Sequence, residues 1–382
     1  MITIGLATLT SLSRISGMYD RPSYTRTTTI SNAISAPHRV PSTPLTQTAA
    51  EEPLMLVPLT FGLALFMMIT STICWGSWAN TFKLTPRYRF ELFYWDYSIG
   101  VVLLTLLLAF TMGSTPHGPA SFLLNLHSAS ASNLFYAALG GFIFNIANLL
   151  LVAGIEIAGL AVAFPLSIGI ALVEGVVLSY AIQPKGSLPL LAAGVAFALL
   201  AVILVGRAYA NLGSRANSAV SRKGVVICIV SGFLMGAFAP LVTRALTADH
   251  PLTPYTTTVA FALGAFFCCF FVNTWFMRHP ITGSPVAFAD YFRARPAWHA
   301  IGLIGGAVWG IGLVFNLVAA NLVGVSVSYA IGQASPMIAA LWGVLVWKEF
   351  RGSNTRARLY LVAMFACYLA ALILIARAYQ AG

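Results

Sequence analysis

The chain has 382 residues, of which 59% are hydrophobic and 8% charged, against roughly 25% charged in soluble domains. Water cannot solvate the surface such a chain would present, so the solvent is mostly lipid and soluble enzymes are excluded. The net charge of +11 is then a matter of bilayer orientation and not of a nucleic-acid partner.

Residues 1–54 stand apart. They are rich in Ser, Thr, Pro and Arg and hold too little apolar area to build a core. Their composition resembles an organelle transit peptide; the reading adopted is a disordered tail, or a start assigned too early with Met55 as the real beginning.

Ten apolar runs follow, near 57–79, 94–113, 134–155, 160–182, 188–207, 224–244, 255–276, 298–320, 326–347 and 357–378. Each is about 20 residues, enough to cross roughly 30 Å of hydrocarbon as a helix. Most are apolar all round, which favours helices over barrel strands. Breaker-rich loops separate them, including Thr115–Pro119, Gln183–Gly186, His279-Pro280 and Arg351–Asn354. Trp95, Trp275, Trp298 and Trp347 fall at run ends, where an aromatic belt belongs. The expected fold is an all-α integral membrane protein with ten transmembrane helices.

Two stretches are copies of one pattern: GGFIFNIAN…EIAGLAVAFPLSIG…LVGRAY from Gly140, and GGAVWGIGLVFN…NLVGVSVSYAIGQ…LIARAY from Gly305. The copies define two five-helix repeats, 55–210 and 224–382, joined by a cytoplasmic linker at 211–223. An odd number of crossings per copy inverts the second repeat relative to the first, the arrangement from which secondary transporters build two access states.

Orientation follows from the basic residues. Fourteen, among them Lys83, Arg87, Arg89, Arg222, Lys223, Arg293, Arg295 and Lys348, fall on one side, against Lys185, Arg244 and Arg377 on the other. The richer side is cytoplasmic, which puts both termini outside. In a bacterium the location would be the inner (cell) membrane.

Polar residues at membrane depth must face a cavity or a neighbouring helix. Glu174 sits near the middle of the fourth run, where desolvation disfavours its ionised form. It is the candidate proton-coupling group, or else a hydrogen-bonding fastener between helices. Its counterpart in the second copy is Ala339, so such a role would belong to one half. Asn145 and Asn148 share one face of the third run; Trp309 and Asn316 share a face of the eighth. Amides supply donors and acceptors, and an indole covers a flat or apolar solute face. The same amides would serve as interhelical hydrogen bonds if they line no cavity. Trp75, at the end of the first run, and Gln333, in the ninth, complete the candidate substrate-binding set. Pro165 and Pro336 lie inside the fourth and ninth runs, where a missing backbone donor bends a helix. The segment Arg87–Tyr97 is dense in aromatics and charge and reads as an interfacial turn with Arg87 or Arg89 paired to Glu91 or Asp96. The five cysteines all lie in apolar runs and read as small hydrophobes. No catalytic triad, phosphate loop or metal-ligand spacing occurs, so no catalytic residue, metal or cofactor is expected.

The words Trp75-Gly76-Ser77-Trp78-Ala79-Asn80 and RFELFYWDYSIG resemble the drug/metabolite transporter superfamily, in the branch of glucose/ribose porters, L-rhamnose–proton symporters and ureide permeases. The resemblance spans about Met55 to the C-terminus. It implies proton- or sodium-coupled uptake of small neutral solutes. The expected function is a secondary active transporter, proton-coupled and carrying a monosaccharide. The alternatives are an exporter of drugs or amphipathic metabolites and a ureide/nucleobase-type permease. The partners implied are a small solute, a coupling ion and the bilayer; the oligomeric state is not legible.

Overall fold

Ser, Thr and Asn residues placed one position ahead of apolar runs set where the helices begin. Thr60, Ser121, Ser130, Ser221, Thr253 and Asn354 each accept, on a side-chain oxygen, an orphan backbone N–H of the first turn. The computed structural model describes residues 55–114, 121–212, 221–281 and 283–381. The opening tail, the Thr115–Pro119 loop and most of the 211–223 linker lie outside the described residues.

The elements, in chain order, are α1 Phe61–Ser77, α2 Ala79–Lys83, α3 Phe90–Thr111, α4 Phe122–Ser128, α5 Ala131–Ala158 and α6 Leu160–Ala163. A π-helical turn, Phe164–Ile168, then leads into α7 Gly169–Ile182 and α8 Leu188–Ala210. The second half holds α9 Arg222–Thr247, α10 Pro254–Cys269, α11 Val272–Arg278, α12 Phe288–Phe292, α13 Pro296–Val323, α14 Val325–Gly332, α15 Ser335–Leu345 and α16 Thr355–Gln380. The short helices α4 and α12 occupy segments read as loop.

Among the described residues nine helices are long and apolar enough to cross a membrane. The run expected at 326–347 is not one continuous helix. It divides into α14 and α15 at Gln333 and Ala334, where Pro336 supplies no N–H for the preceding turn and Gly332 lowers helix propensity. The other intramembrane proline, Pro165, falls in the π-helical turn.

Helices pack through glycines. Gly100 and Gly306 place α3 and α13 so close that a Cβ at either would overlap a carbonyl oxygen of the facing helix, Leu303 O or Tyr97 O. Gly264 and Gly141 do the same for α10 and α5, against Ala138 O and Phe261 O. Without water in the surroundings, such close backbone approach replaces the hydrophobic effect as the source of helix association. α5 and α13 are both 28 residues long. They end at Gly159 (φ 77°) and Gly324 (φ 85°), a backbone region open to glycine.

The helix α8 runs from one end of the bundle to the other. At its start, Ser187 N–H donates to Ala378 O of α16 (2.7 Å). At its far end, the Tyr209 hydroxyl donates to Glu349 (3.2 Å), which also pairs with Lys83 (2.7 Å).

Candidate functional site

A cavity of about 480 Å³ lies between α1, α5, α9, α13 and the broken α14–α15 element. Its inner wall is aromatic. Trp309 is the hub, with ring centroids 5.0 Å from Phe144, 6.0 Å from Trp75 and 6.3 Å from Phe261. Phe238 closes this wall against Phe144 (5.3 Å). Trp75 fits its ring beside Gly312 and Gly332, where a Cβ would collide with it. The opposite end of the cavity reaches the turn before α3 and the end of α5, at Tyr88, Arg89, Glu91 and Glu156.

Four of the sequence-selected residues line this space: Trp75, Asn148, Trp309 and Gln333. Asn145 lies behind the wall, 2% exposed. Its Oδ1 accepts from the Tyr94 hydroxyl at 2.7 Å, and its Nδ2 points to Cys269 Sγ at 3.6 Å. Asn148 donates from Nδ2 to the same Tyr94 oxygen at 2.9 Å. Tyr94 therefore bridges the two asparagines and fixes the cavity-facing amide. In the sequence it falls in the segment that reads as an interfacial turn, and only the aromatic density of FELFYWDY marks it. Asn316 lies outside the cavity lining; it donates to Ser328 O at 2.9 Å and fastens α13 to α14.

Glu174 also stands outside the cavity lining. It projects from α7 toward α9, where Gly236 gives it room. Its Oε2 is buried with no hydrogen-bond partner, an expensive condition for an ionised oxygen.

A second polar cluster occupies the rim. Asp96, 2% exposed, accepts from Tyr88 (2.7 Å), Tyr291 (2.6 Å) and His299 Nδ1 (2.9 Å). Burial and the Asp96 carboxylate both push the Tyr88 and Tyr291 hydroxyls well above the ordinary phenol range. The arginine pairing expected here goes to Glu91: Arg89 holds it through Nε (3.2 Å) and Nη2 (2.8 Å). Asp96, one turn deeper, takes a histidine from the other half of the chain instead. Among the described residues no group of His, Cys, Asp and Glu could hold a metal ion.

A bundle of lipid-facing helices around a central aromatic and amide-lined cavity is the architecture of a polytopic membrane transporter. The ureide permease family matches residues 212–377. Ureide permease 1 of Arabidopsis thaliana is 22% identical over 376 residues, covering 81% of this chain and 95% of its own length. Ureide permease 2 of the same plant is 23% identical, with 81% and 95% covered. Ureide permease 5 is 24% identical, with 81% and 92% covered. One solved crystal structure superposes with a TM-score of 0.54 at 15% identity, covering 82% of this chain and 98% of that one; that likeness bears on the fold alone. The similarities support a multi-pass membrane permease with a small-molecule substrate, and a transporter rather than an enzyme.

Proposed function

We propose that the protein is a secondary active permease for a small, flat, neutral solute of the ureide or nucleobase kind. The observation that carries this reading is the cavity itself: Trp75 and Trp309 on one wall, with the amides of Asn148 and Gln333 beside them. A ureide or pyrimidine base presents a planar face and a row of alternating N–H and C=O groups. Indole rings suit the face, and carboxamides suit the edge because each both donates and accepts. The similarity to ureide permeases moves the solute away from the monosaccharide first expected.

In this reading Glu174 carries the coupling proton, and alternating access comes from two inverted five-helix units rocking about the cavity. The paired glycine crossings and the matching turns at Gly159 and Gly324 support the internal repeat. With the basic side in the cytoplasm, the cavity that reaches Tyr88 and Arg89 is the inward-facing one.

The test is uptake into vesicles containing the purified protein, under an imposed proton gradient. Labelled hydantoin (a cyclic ureide), uracil and glucose serve as solutes. Hydantoin or uracil should accumulate only with the gradient. Accumulation of glucose alone restores the monosaccharide reading. Equal uptake with and without the gradient makes the protein a facilitator, and expulsion of lipophilic cations makes it an exporter.

A further inference from the structure

We propose that Tyr329 is the positioning residue that couples Glu174 to the occupancy of the cavity, acting through Gln333. The inference rests on Glu174 as the proton carrier and adds the link by which its proton and the solute sense each other.

Tyr329 lies on α14 one turn before Gln333, so the two share a helix face. It is 1% exposed. Its ring packs on the α7 backbone at Gly175, where any Cβ would collide with it. The hydroxyl donates to Ala171 O of α7 at 3.2 Å. The Gln333 amide, one turn further along that face, lies near the same hydroxyl, and Glu174 is the chain neighbour of the Gly175 that the ring packs on. Gln333 in turn lines the cavity. Gln333, Tyr329 and Glu174 therefore form a row of neighbouring polar groups from the solute space to α7, crossing from the broken α14–α15 element. The other elements packed on α7 bring no titratable group to Glu174 among the described residues. α9 meets it with Gly236, and the Ser167 hydroxyl of the π-helical turn donates to Cys228 O.

A phenol has one proton to give. In this structure it goes to a carbonyl at a distance long for an O–H···O bond, while the buried Glu174 Oε2 has no partner. That arrangement suits a protonated Glu174. When Glu174 ionises, the carboxylate becomes the better acceptor, since charge-assisted bonds are about twice as strong as neutral ones. The hydroxyl turns to it, and the lone pairs offered to Gln333 turn with it. The donor that Gln333 can present to a solute thus depends on the charge at Glu174. By linkage, solute binding changes the proton affinity of Glu174 by the same factor.

The experiment compares wild type, Tyr329→Phe, Glu174→Gln and the double variant in vesicles with labelled hydantoin. Phenylalanine keeps the ring against Gly175 and removes only the hydroxyl. Gradient-driven accumulation should fall about tenfold more than solute counterflow, the KM for counterflow should lose its pH dependence, and the double variant should be no worse than Glu174→Gln. If Tyr329→Phe accumulates solute like wild type with an unchanged pH profile while Glu174→Gln does not, the coupling role of Tyr329 is overturned and the function above stands. If Glu174→Gln itself accumulates solute normally, the proton-carrier reading falls and this inference with it. Should Tyr329→Phe not fold, Gln333→Leu cuts the path at its other end: its KM should rise and cease to shift with pH, and a persisting shift overturns the link.

Discussion

Asp96 of α3 and His299 of α13 meet at 2.9 Å although 203 positions separate them in the chain. The contact ties the two halves of the protein beside the cavity rim, with Tyr88 and Tyr291 donating to the same carboxylate. Removing that carboxylate takes the acceptor from the buried Tyr88 hydroxyl, which keeps only a long contact to His299 Nδ1 (3.3 Å), and from the half-buried Tyr291 hydroxyl, at about 1–3 kcal/mol in all. Asp96→Ala should lower the melting temperature in detergent by several degrees. Asp96→Asn, which keeps one acceptor oxygen, should lower it by less. Lys83→Ala, which breaks a half-exposed ion pair, should shift stability by less than about 1 kcal/mol.

The glycine crossings make a sharper stability prediction. A methyl group at Gly141 or Gly306 has nowhere to go but into a facing carbonyl, and overpacking of this kind costs about 1–3 kcal/mol or more. Gly141→Ala and Gly306→Ala should each reduce the yield of folded protein. Gly62→Ala meets nothing within 4 Å and should be neutral, or stabilising by a few tenths of a kcal/mol through helix propensity. Fluorescence-detected gel filtration of the three variants checks the contrast.

Helices, their order and the two polar spots in the cavity could be read from the chain because lipid writes a strong signal: long apolar runs, and rare amides within them. The break at Gln333 was harder to place. Pro336 announces a bend, but whether a proline kinks a helix or divides it depends on what packs around the freed carbonyls. The roles of Tyr94 and Tyr329 and the Asp96–His299 contact are not legible in the chain, although aromatic density singles out the segment that holds Tyr94. Each acts across 50 or more positions of sequence, or through a neighbouring helix, and no local periodicity records which helix that is. Asn145 illustrates the limit: its spacing from Asn148 puts both on one helix face, yet Asn145 is spent on the Tyr94 hydroxyl and only Asn148 lines the cavity.

Topology gives a third prediction. The Gly186 turn packs against Ala378, near the end of α16, whereas the Arg351 turn precedes the start of that helix. A helix of 26 residues separates them, more than enough to cross the bilayer. Single cysteines at these turns, in a background lacking the native five, should react with an impermeant maleimide from opposite faces of the membrane. Labelling of both from one face would remove the inverted-repeat mechanism.

Alkaline pH should unlock the rim. Phenols in an unfolded chain titrate near 10, and those of Tyr88 and Tyr291 are raised well above it, by burial first and by Asp96 second. Above the unfolded value the folded state holds protons that the unfolded chain has released. Stability therefore falls as pH rises through that region, and these phenols contribute no slope well below it. Melting temperatures should be flat with respect to these groups near neutral pH and decline above about pH 10, and Tyr88→Phe should decline less steeply over the same interval. An identical slope in the variant would mean that Tyr88 does not take part.

Solute affinity should divide along the cavity wall. Trp309 touches several other rings, so Trp309→Ala would cost about 3–5 kcal/mol in lost packing and confuse folding with binding. Trp309→Phe keeps an aromatic face while removing the larger indole surface, and should raise KM for hydantoin a few-fold. Asn148→Leu removes an amide that faces the cavity while keeping its bulk, and should raise KM about tenfold, the equivalent of about 1.4 kcal/mol. It also leaves the Tyr94 oxygen without its Nδ2 donor, so melting temperature must be measured alongside uptake. Asn133→Leu is the control: its amide is spent on the carbonyls of Asp249 and His250, away from the cavity. That variant should lose stability without a change in KM. If Asn148→Leu behaves like Asn133→Leu, the cavity amides are helix fasteners and the solute is recognised elsewhere.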